Sequence, residues 1–140
     1  LVIGSGINSI KKKLNSTKDC VLVDSTNNVH NYLNLMDVYV TSSLTETTSL
    51  TTLEAMASGL AVVSTPVGFI KEYISHNVNG LIFKPKNSFD LFKKLDNLKK
   101  DPVKLKRLSI NARKSVIDKF QWESTAKTIK EALDNLYSNS

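Results

Sequence analysis

Five short apolar runs punctuate the first part of the chain: Leu1–Gly4, Cys20–Asp24, Asp37–Thr41, Ala61–Ser64 and Gly80–Phe83. Each is bounded by turn residues, and each is near-continuous rather than alternating. Strands covered on both faces, as in a parallel sheet, read this way. Helical stretches lie between them, around Ile7–Leu14, at Val29–Leu35, at Leu50–Ser58 and at Ile70–Ile74. Val29, Tyr32 and Leu33 fall at i, i+3 and i+4. Leu50, Leu53 and Ala57 share one face of their helix, and Gly59 stands where that helix should stop. Strand and helix alternate as far as Phe83. The pattern predicts an α/β fold, a Rossmann-like parallel sheet of about five strands with helices on both faces.

After Pro85 the period changes to helix alone. Ser88 is placed to cap a helix running to about Lys99, with Phe89, Phe92, Leu95 and Leu98 or Lys99 as its apolar stripe. Asp101 and Pro102 read as the N-cap and first position of the next helix, whose face is Val103, Leu105, Leu108, Ala112 and Val116. A third follows Trp122, with Ala126, Ile129, Ala132, Leu133 and Leu136. These are C-terminal helices appended to an α/β body. The tail after Tyr137 is expected to fray.

Composition narrows the classes. A chain of 140 residues, 41% hydrophobic and 23% charged, fits one globular domain. No apolar run approaches the ~18–20 residues of a membrane span. One cysteine, Cys20, excludes an internal disulfide and a cysteine-built zinc site. Two scattered histidines, His30 and His76, argue against a metal centre. Cys20 reads as an inert buried thiol and His76 as part of a surface turn. The chain opens inside a core strand with no basic leader. Further sequence upstream is therefore expected.

Charge is concentrated. The net value is +6, yet residues 84–119 hold 12 basic and 4 acidic side chains, a local +8. A solvated helix face explains this, and so does attraction to anionic lipid headgroups. Nucleic acid is disfavoured because aromatic interleaving is not expected on the charged face.

Ligands of open parallel sheets bind beyond the carboxyl ends of the strands. Three loops there are unusual. Gly4-Ser5-Gly6 lets backbone approach a ligand at Gly4 and Gly6. It fails as a dinucleotide fingerprint, because Ser9 holds the third glycine position. A tight strand–helix turn is its structural alternative. Ser42–Ser49 leads straight into the Leu50–Ser58 helix. Thr47, Thr48 and Ser49 there flank the free N–H groups of the helix start, at Leu50 and beyond, and make a plausible phosphate cradle. Glu46 and Glu54 flank the cradle and suit vicinal hydroxyls of a sugar or ribose. The competing structural role is a capping box, Thr51 at N-cap and Glu54 at N3, with Glu46 solvated. Thr65-Pro66-Val67-Gly68-Phe69 is a rigid turn at the same edge, with Glu72 opening the next helix.

Glu46 and Glu54, with seven residues between, and the following Ala55-Met56-Ala57-Ser58-Gly59 resemble the signature of family 4 retaining glycosyltransferases of the GT-B type. Leu1-Val2-Ile3-Gly4-Ser5-Gly6, Met36–Ser43, Ala61–Gly68, Asn79-Gly80-Leu81-Ile82 and Phe120-Gln121-Trp122 resemble, in order, the family's other landmarks. The likeness covers residues 1–125. It implies that residues 1–140 are the C-terminal nucleotide-sugar-binding domain of a two-domain enzyme, the acceptor domain lying upstream. It implies a cytoplasmic enzyme of polysaccharide synthesis that moves a sugar, with retention, from a UDP- or GDP-linked donor to a glycan or lipid-linked acceptor. No metal or other cofactor is implied, and peripheral membrane contact would run through 84–119.

By the same likeness Glu46 is the catalytic residue and contacts donor-sugar hydroxyls. Thr47, Thr48, Ser49 and Leu50 face the sugar and diphosphate, and Glu54 holds the ribose. The family's last helix crosses back toward the acceptor domain, and its diphosphate-binding Arg and Lys fall upstream of this region. This chain departs from the pattern at Thr47-Thr48-Ser49, where many relatives have Gly-Phe-Gly. It departs again at Phe69, which replaces the second glycine of a Gly-Gly turn, and at Asp24. A non-catalytic binding module, a sugar-nucleotide epimerase and, more distantly, a dinucleotide oxidoreductase are the competing classes.

Overall fold

The strand Ala61–Ser64 is buried at every residue, as a strand paired on both edges and covered on both faces must be. In this computed structural model, which describes residues 1–4 and 19–138, it is the middle strand of a parallel sheet. The chain divides into two units, Leu1–Tyr32 and Leu33–Ser140.

In the first unit, β1 (Val2–Ile3) pairs in parallel with β2 (Leu22–Val23), Val2 opposite Leu22 and Ile3 opposite Val23. A short helix, α1 (Val29–Leu33), follows. Cys20 is free and half-buried rather than fully buried. The helix expected around Ile7–Leu14 lies outside the described residues, as does Gly6.

The second unit contains β3 (Val38–Thr41), α2 (Leu50–Ala57), β4 (Ala61–Ser64), α3 (Ile70–Tyr73), β5 (Leu81–Ile82), α4 (Ser88–Lys100), α5 (Pro102–Lys119) and α6 (Trp122–Ser138). The strand order is β3-β4-β5, all parallel, with Tyr39 opposite Val62 and Val63 opposite Leu81. The five predicted strands are thus all present, divided two and three between two sheets.

One face of β4 and β5 supplies Ala61, Val63, Leu81 and Phe83, which pack against Leu98 of α4 and Leu108 of α5. Each large side chain buried there stabilises the fold by about 1.5–3 kcal/mol. The end of α2 is a Schellman motif. Leu60 N–H donates to Ala55 O, Gly59 N–H donates to Met56 O, and Gly59 takes φ +78°. Ser109 and Arg113 of α5 donate to the Gly59 and Ala57 carbonyls. They satisfy acceptors that the helix end leaves free.

Three helix faces differ from expectation. The stop of α2 is as predicted, but its buried residues are Thr52, Ala55 and Met56, and Leu50 is exposed. Helix α4 is capped by Asn87, whose Oδ1 accepts from Asp90 N–H at 2.9 Å, so Ser88 is the first helical residue and not the cap. Its buried stripe is Leu91, Leu95 and Leu98. Phe89 and Phe92 stand 63% and 61% exposed, so aromatic rings do occupy the charged face. Lys93 Nζ lies 4.4 Å above the Phe89 ring. In α5 the Asp101 cap and Pro102 start are as expected, and Leu108, Ala112 and Val116 are buried, but Val103 is exposed. No residue of α6 is buried. Among the described residues no helix is long and apolar enough to cross a membrane.

Candidate functional site

Six polar residues are buried among those described, and five of them gather where β3 and β4 end and α2 begins: Thr41, Ser49, Thr52, Ser64 and Thr65. Buried hydroxyls are costly unless they are hydrogen-bonded, and these are. Thr65 Oγ1 donates to Ser43 O at 2.6 Å, and Ser64 Oγ to Thr65 O at 3.0 Å. Thr52 Oγ1 donates to Ser49 Oγ at 2.8 Å. Thr41 Oγ1 and Ser43 Oγ lie 3.5 Å apart.

This web holds one acid. Ser43 Oγ donates to Glu46 Oε1 at 2.7 Å, a charge-assisted bond of the shorter kind. Glu46 is half-buried, and among the described residues the bond from Ser43 reaches only one of its two carboxylate oxygens. The loop is braced from behind by the Thr65–Phe69 turn. Phe69 N–H donates to Thr47 O at 3.0 Å. A Cβ on Gly68 would collide with the Glu46 carbonyl and stand 2.6 Å from that of Thr47, and Gly68 has φ +54°. Only glycine fits here. Two of the three loops singled out from sequence are therefore one structure.

The start of α2 follows directly. Ser49 is its N-cap residue, but its side chain makes no capping bond. The alternative of a capping box is not realised, because Thr51 is already helical and N3 is Thr52, two residues before Glu54. Thr51 instead accepts from Tyr39 OH at 3.0 Å. Glu54 is exposed, about 6 Å along the axis from Leu50 at helical rise. Thr47 and Thr48 are exposed and Ser49 is buried. Gly4, at the end of β1, has φ +155° and open space where a Cβ would stand. It belongs to the first unit.

Sequence reasoning missed Ser43, Thr65 and Tyr73. Ser43 had a legible signal, a hydroxyl three residues before the acid. Thr65 acts across 22 positions of sequence and had none. Tyr73 is buried, with its ring edge-on to Phe120 at 5.9 Å. Its hydroxyl makes no hydrogen bond of ordinary geometry. Burial raises its pKa, the nearby Ser49 backbone amide opposes this, and the charge of Glu46 and then Tyr39 add to the rise. The phenol is therefore a neutral O–H beside the Glu46 loop. His76 is exposed, and its Nδ1 accepts from Ile82 N–H at 2.9 Å, which secures β5. Among the described residues no group of three His, Cys, Asp or Glu side chains comes together to hold a metal.

Chemically, the arrangement offers a fixed carboxylate, a helix start without a side-chain cap, where Leu50 N–H donates to Thr48 O and Thr52 N–H to Ser49 O, and a second carboxylate a turn away. The family model of glycosyl transferases group 1 matches residues 6–115. An uncharacterized glycosyltransferase of Methanocaldococcus jannaschii is 37% identical over 91 residues, 65% of this chain and 23% of that protein. The lipopolysaccharide 1,2-N-acetylglucosaminetransferase of Salmonella typhimurium is 27% identical over 135 residues, 91% of this chain and 35% of that protein. The chain thus spans roughly a quarter to a third of these curated relatives. The C-terminal domain of a group 1 glycosyl transferase from Francisella tularensis superposes with a TM-score of 0.72 at 28% identity, over 83% of this chain and 65% of that one. The Anabaena protein HepE, solved with UDP-glucose, gives 0.86 at 19% identity over 95% of this chain and 40% of that one, a likeness of fold.

Proposed function

The chain belongs to the glycosyl transferases group 1 family, and from that premise we propose that it is the donor-binding half of a retaining glycosyltransferase. The donor is a nucleotide-sugar, UDP- or GDP-linked, and the acceptor is a glycan or lipid-linked sugar. Glu46 accepts from hydroxyls of the transferred sugar. The backbone of Thr47, Thr48 and Ser49, with Leu50 beside them, faces the sugar and diphosphate, where the α2 dipole favours negative charge. Glu54 accepts from the ribose hydroxyls. In the reaction the bond from sugar C1 to the diphosphate breaks, a bond from C1 to the acceptor oxygen forms on the same face, and the acceptor's proton leaves with the diphosphate. Preorganised dipoles at the departing charge supply the catalysis. Alone, these residues bind donor and turn over little, because the acceptor half is a separate domain. The exposed apolar face of α6 is the surface that the family likeness directs to that half.

The observation that carries this reading is the buried hydroxyl web at the carboxyl edge of the sheet, which fixes Glu46 where a core would have been better served by apolar side chains. The uncapped α2 start supports it, because a capping role no longer accounts for Glu54. Calorimetry with UDP-sugars and GDP-sugars tests it. Glu54→Gln weakens nucleotide binding about tenfold, a loss of ~1.4 kcal/mol, and leaves the melting temperature in place. Unchanged affinity would refute the ribose role.

The same reading includes a place of work at the cytoplasmic face of a membrane. The outer face of α4 combines Phe89 and Phe92 with Lys93, Lys99 and Lys100, all exposed. Aromatic rings at headgroup depth beside lysines suit an anionic bilayer surface.

A further inference from the structure

The turn that braces the Glu46 loop ends in a largely exposed aromatic residue. Phe69 is 57% exposed, while the next residues that face inward, Ile70 and Tyr73, are buried. Its φ of −75° is ordinary backbone, so the position makes no demand that would select or reject a bulky side chain. Its N–H is bound to Thr47 O, and Gly68 before it lies against the Glu46 and Thr47 carbonyls, so its backbone is fastened to the loop that carries Glu46. Two further apolar side chains are exposed on the same loop and helix start, Leu44 at 51% and Leu50 at 56%. The carboxyl edge of the sheet therefore presents apolar side chains on the same segments as a hydrogen-bonded carboxylate and the exposed Thr47 and Thr48. A single exposed hydrophobic residue means little, but a group of them around convergent polar groups marks a binding surface.

We propose that Phe69 is a specificity-determining residue whose ring stacks on the apolar C–H face of a pyranose, while Glu46 takes the hydroxyl edge of a sugar in the same site. A pyranose is amphipathic in this way: its ring hydrogens form an apolar face and its hydroxyls an equatorial rim. Stacking removes both apolar faces from water and adds the attraction of C–H groups to the aromatic face. This rests on the nucleotide-sugar reading above. Either the donor sugar or the acceptor sugar supplies the ring, and affinity measurements separate them.

The test uses the full-length protein, titrated with UDP, UDP-glucose, GDP and GDP-mannose, in wild type, Phe69→Ala and Phe69→Trp. Binding of methyl α-D-glucopyranoside and methyl α-D-mannopyranoside in the presence of the bare diphosphate is followed by saturation-transfer NMR. If the ring holds the donor, Phe69→Ala weakens the nucleotide-sugar about fivefold and leaves the bare diphosphate unchanged, with Phe69→Trp restoring affinity. If it holds the acceptor, donor affinity stays the same and the methyl glycoside signal is lost in Phe69→Ala and kept in Phe69→Trp. Equal affinities and equal glycoside signals across the three proteins would overturn the proposal while the donor reading survives. A wild type that binds neither nucleotide nor nucleotide-sugar would overturn both.

Discussion

The Glu46 loop with the start of α2 and the outer face of α4 both carry polar groups that the sequence marks as functional, yet they hold them in opposite ways. At the loop, hydroxyls are buried and tied to one another and to backbone, so that Glu46 has one fixed position. On α4 the lysines are solvated. Lys100 pairs with Asp96 at 2.6 Å across one helical turn, and Lys93 leans over Phe89. An interlocked site suits recognition of one small molecule in one orientation. A solvated face with rings among its charges suits a broad surface, where position along the surface does not matter. Interlocked groups should fail together when one is removed. Solvated ones should be replaceable one at a time at little cost to the fold.

The sharpest way to break the first half of this contrast is Gly68→Ala. The new Cβ meets the Glu46 and Thr47 carbonyls, and φ +54° strains any side chain. A loss of about 2–4 kcal/mol in urea unfolding is expected, at the large end for single substitutions. Nucleotide binding should fall with it, because loop and turn move as one. Next in size is Ser43→Ala. It removes the donor to Glu46 and costs about 1–2 kcal/mol of stability. Turnover of the full-length enzyme should fall further than stability does, since Glu46 loses its orientation. A variant with normal turnover would show that Glu46 needs no positioning.

Phe89→Ser combined with Phe92→Ser probes the second half. Both rings are exposed, so unfolding free energy should stay within about 0.5 kcal/mol of wild type. Sedimentation with vesicles containing phosphatidylglycerol should lose most of its bound fraction, and neutral vesicles should show little binding in either protein. Retained binding to anionic vesicles would place the contact elsewhere.

The two regions also differ in how far they could be read from sequence. Elements of the sheet were plain, because Ala61–Ser64 and its neighbours are continuous apolar runs with turn residues at each end. The stop at Gly59 followed from backbone chemistry alone. The face of α4 did not. Phe89, Phe92, Leu95 and Leu98 or Lys99 make one helical stripe and Leu91, Leu95 and Leu98 make another, rotated about the axis and sharing Leu95 and Leu98. Side-chain size favours the first, and the sheet's need for Leu91 and Leu98 beside Phe83 selects the second. Nothing local decides between them. At the candidate site, Glu46 and Glu54 stood out in the sequence through their spacing, and the capping-box alternative stood out equally and is absent. The helix starts two residues earlier than Thr51 requires, at a position set by Ser49 and its bond to Thr52. Thr65 could not be found, since its partner Ser43 lies on a different strand end.

The smallest effect expected is a titration, and it asks whether the basic segment acts as a field beyond its own surface. Although His76 is exposed as a residue, partial withdrawal of its ring from water lowers its pKa most, followed by Lys94 and Lys104, with Asp90 opposing. Its neutral Nδ1 accepts the Ile82 N–H, and the protonated ring cannot. A histidine whose folded pKa lies below its unfolded value of 6.5 makes the folded state bind fewer protons, so its contribution to stability is intact above that pH. The contribution declines as pH falls below 6.5, until the folded pKa is also passed. In Lys94→Gln the His76 pKa, followed by NMR, should rise by a fraction of the whole shift, because burial remains. Added salt should raise it in wild type more than in the variant, as screening acts on the charge contributions, of which Lys94 is the largest, and not on desolvation. A pKa that ignores both would mean that the lysines of α4 are fully solvated and exert no force inside the fold.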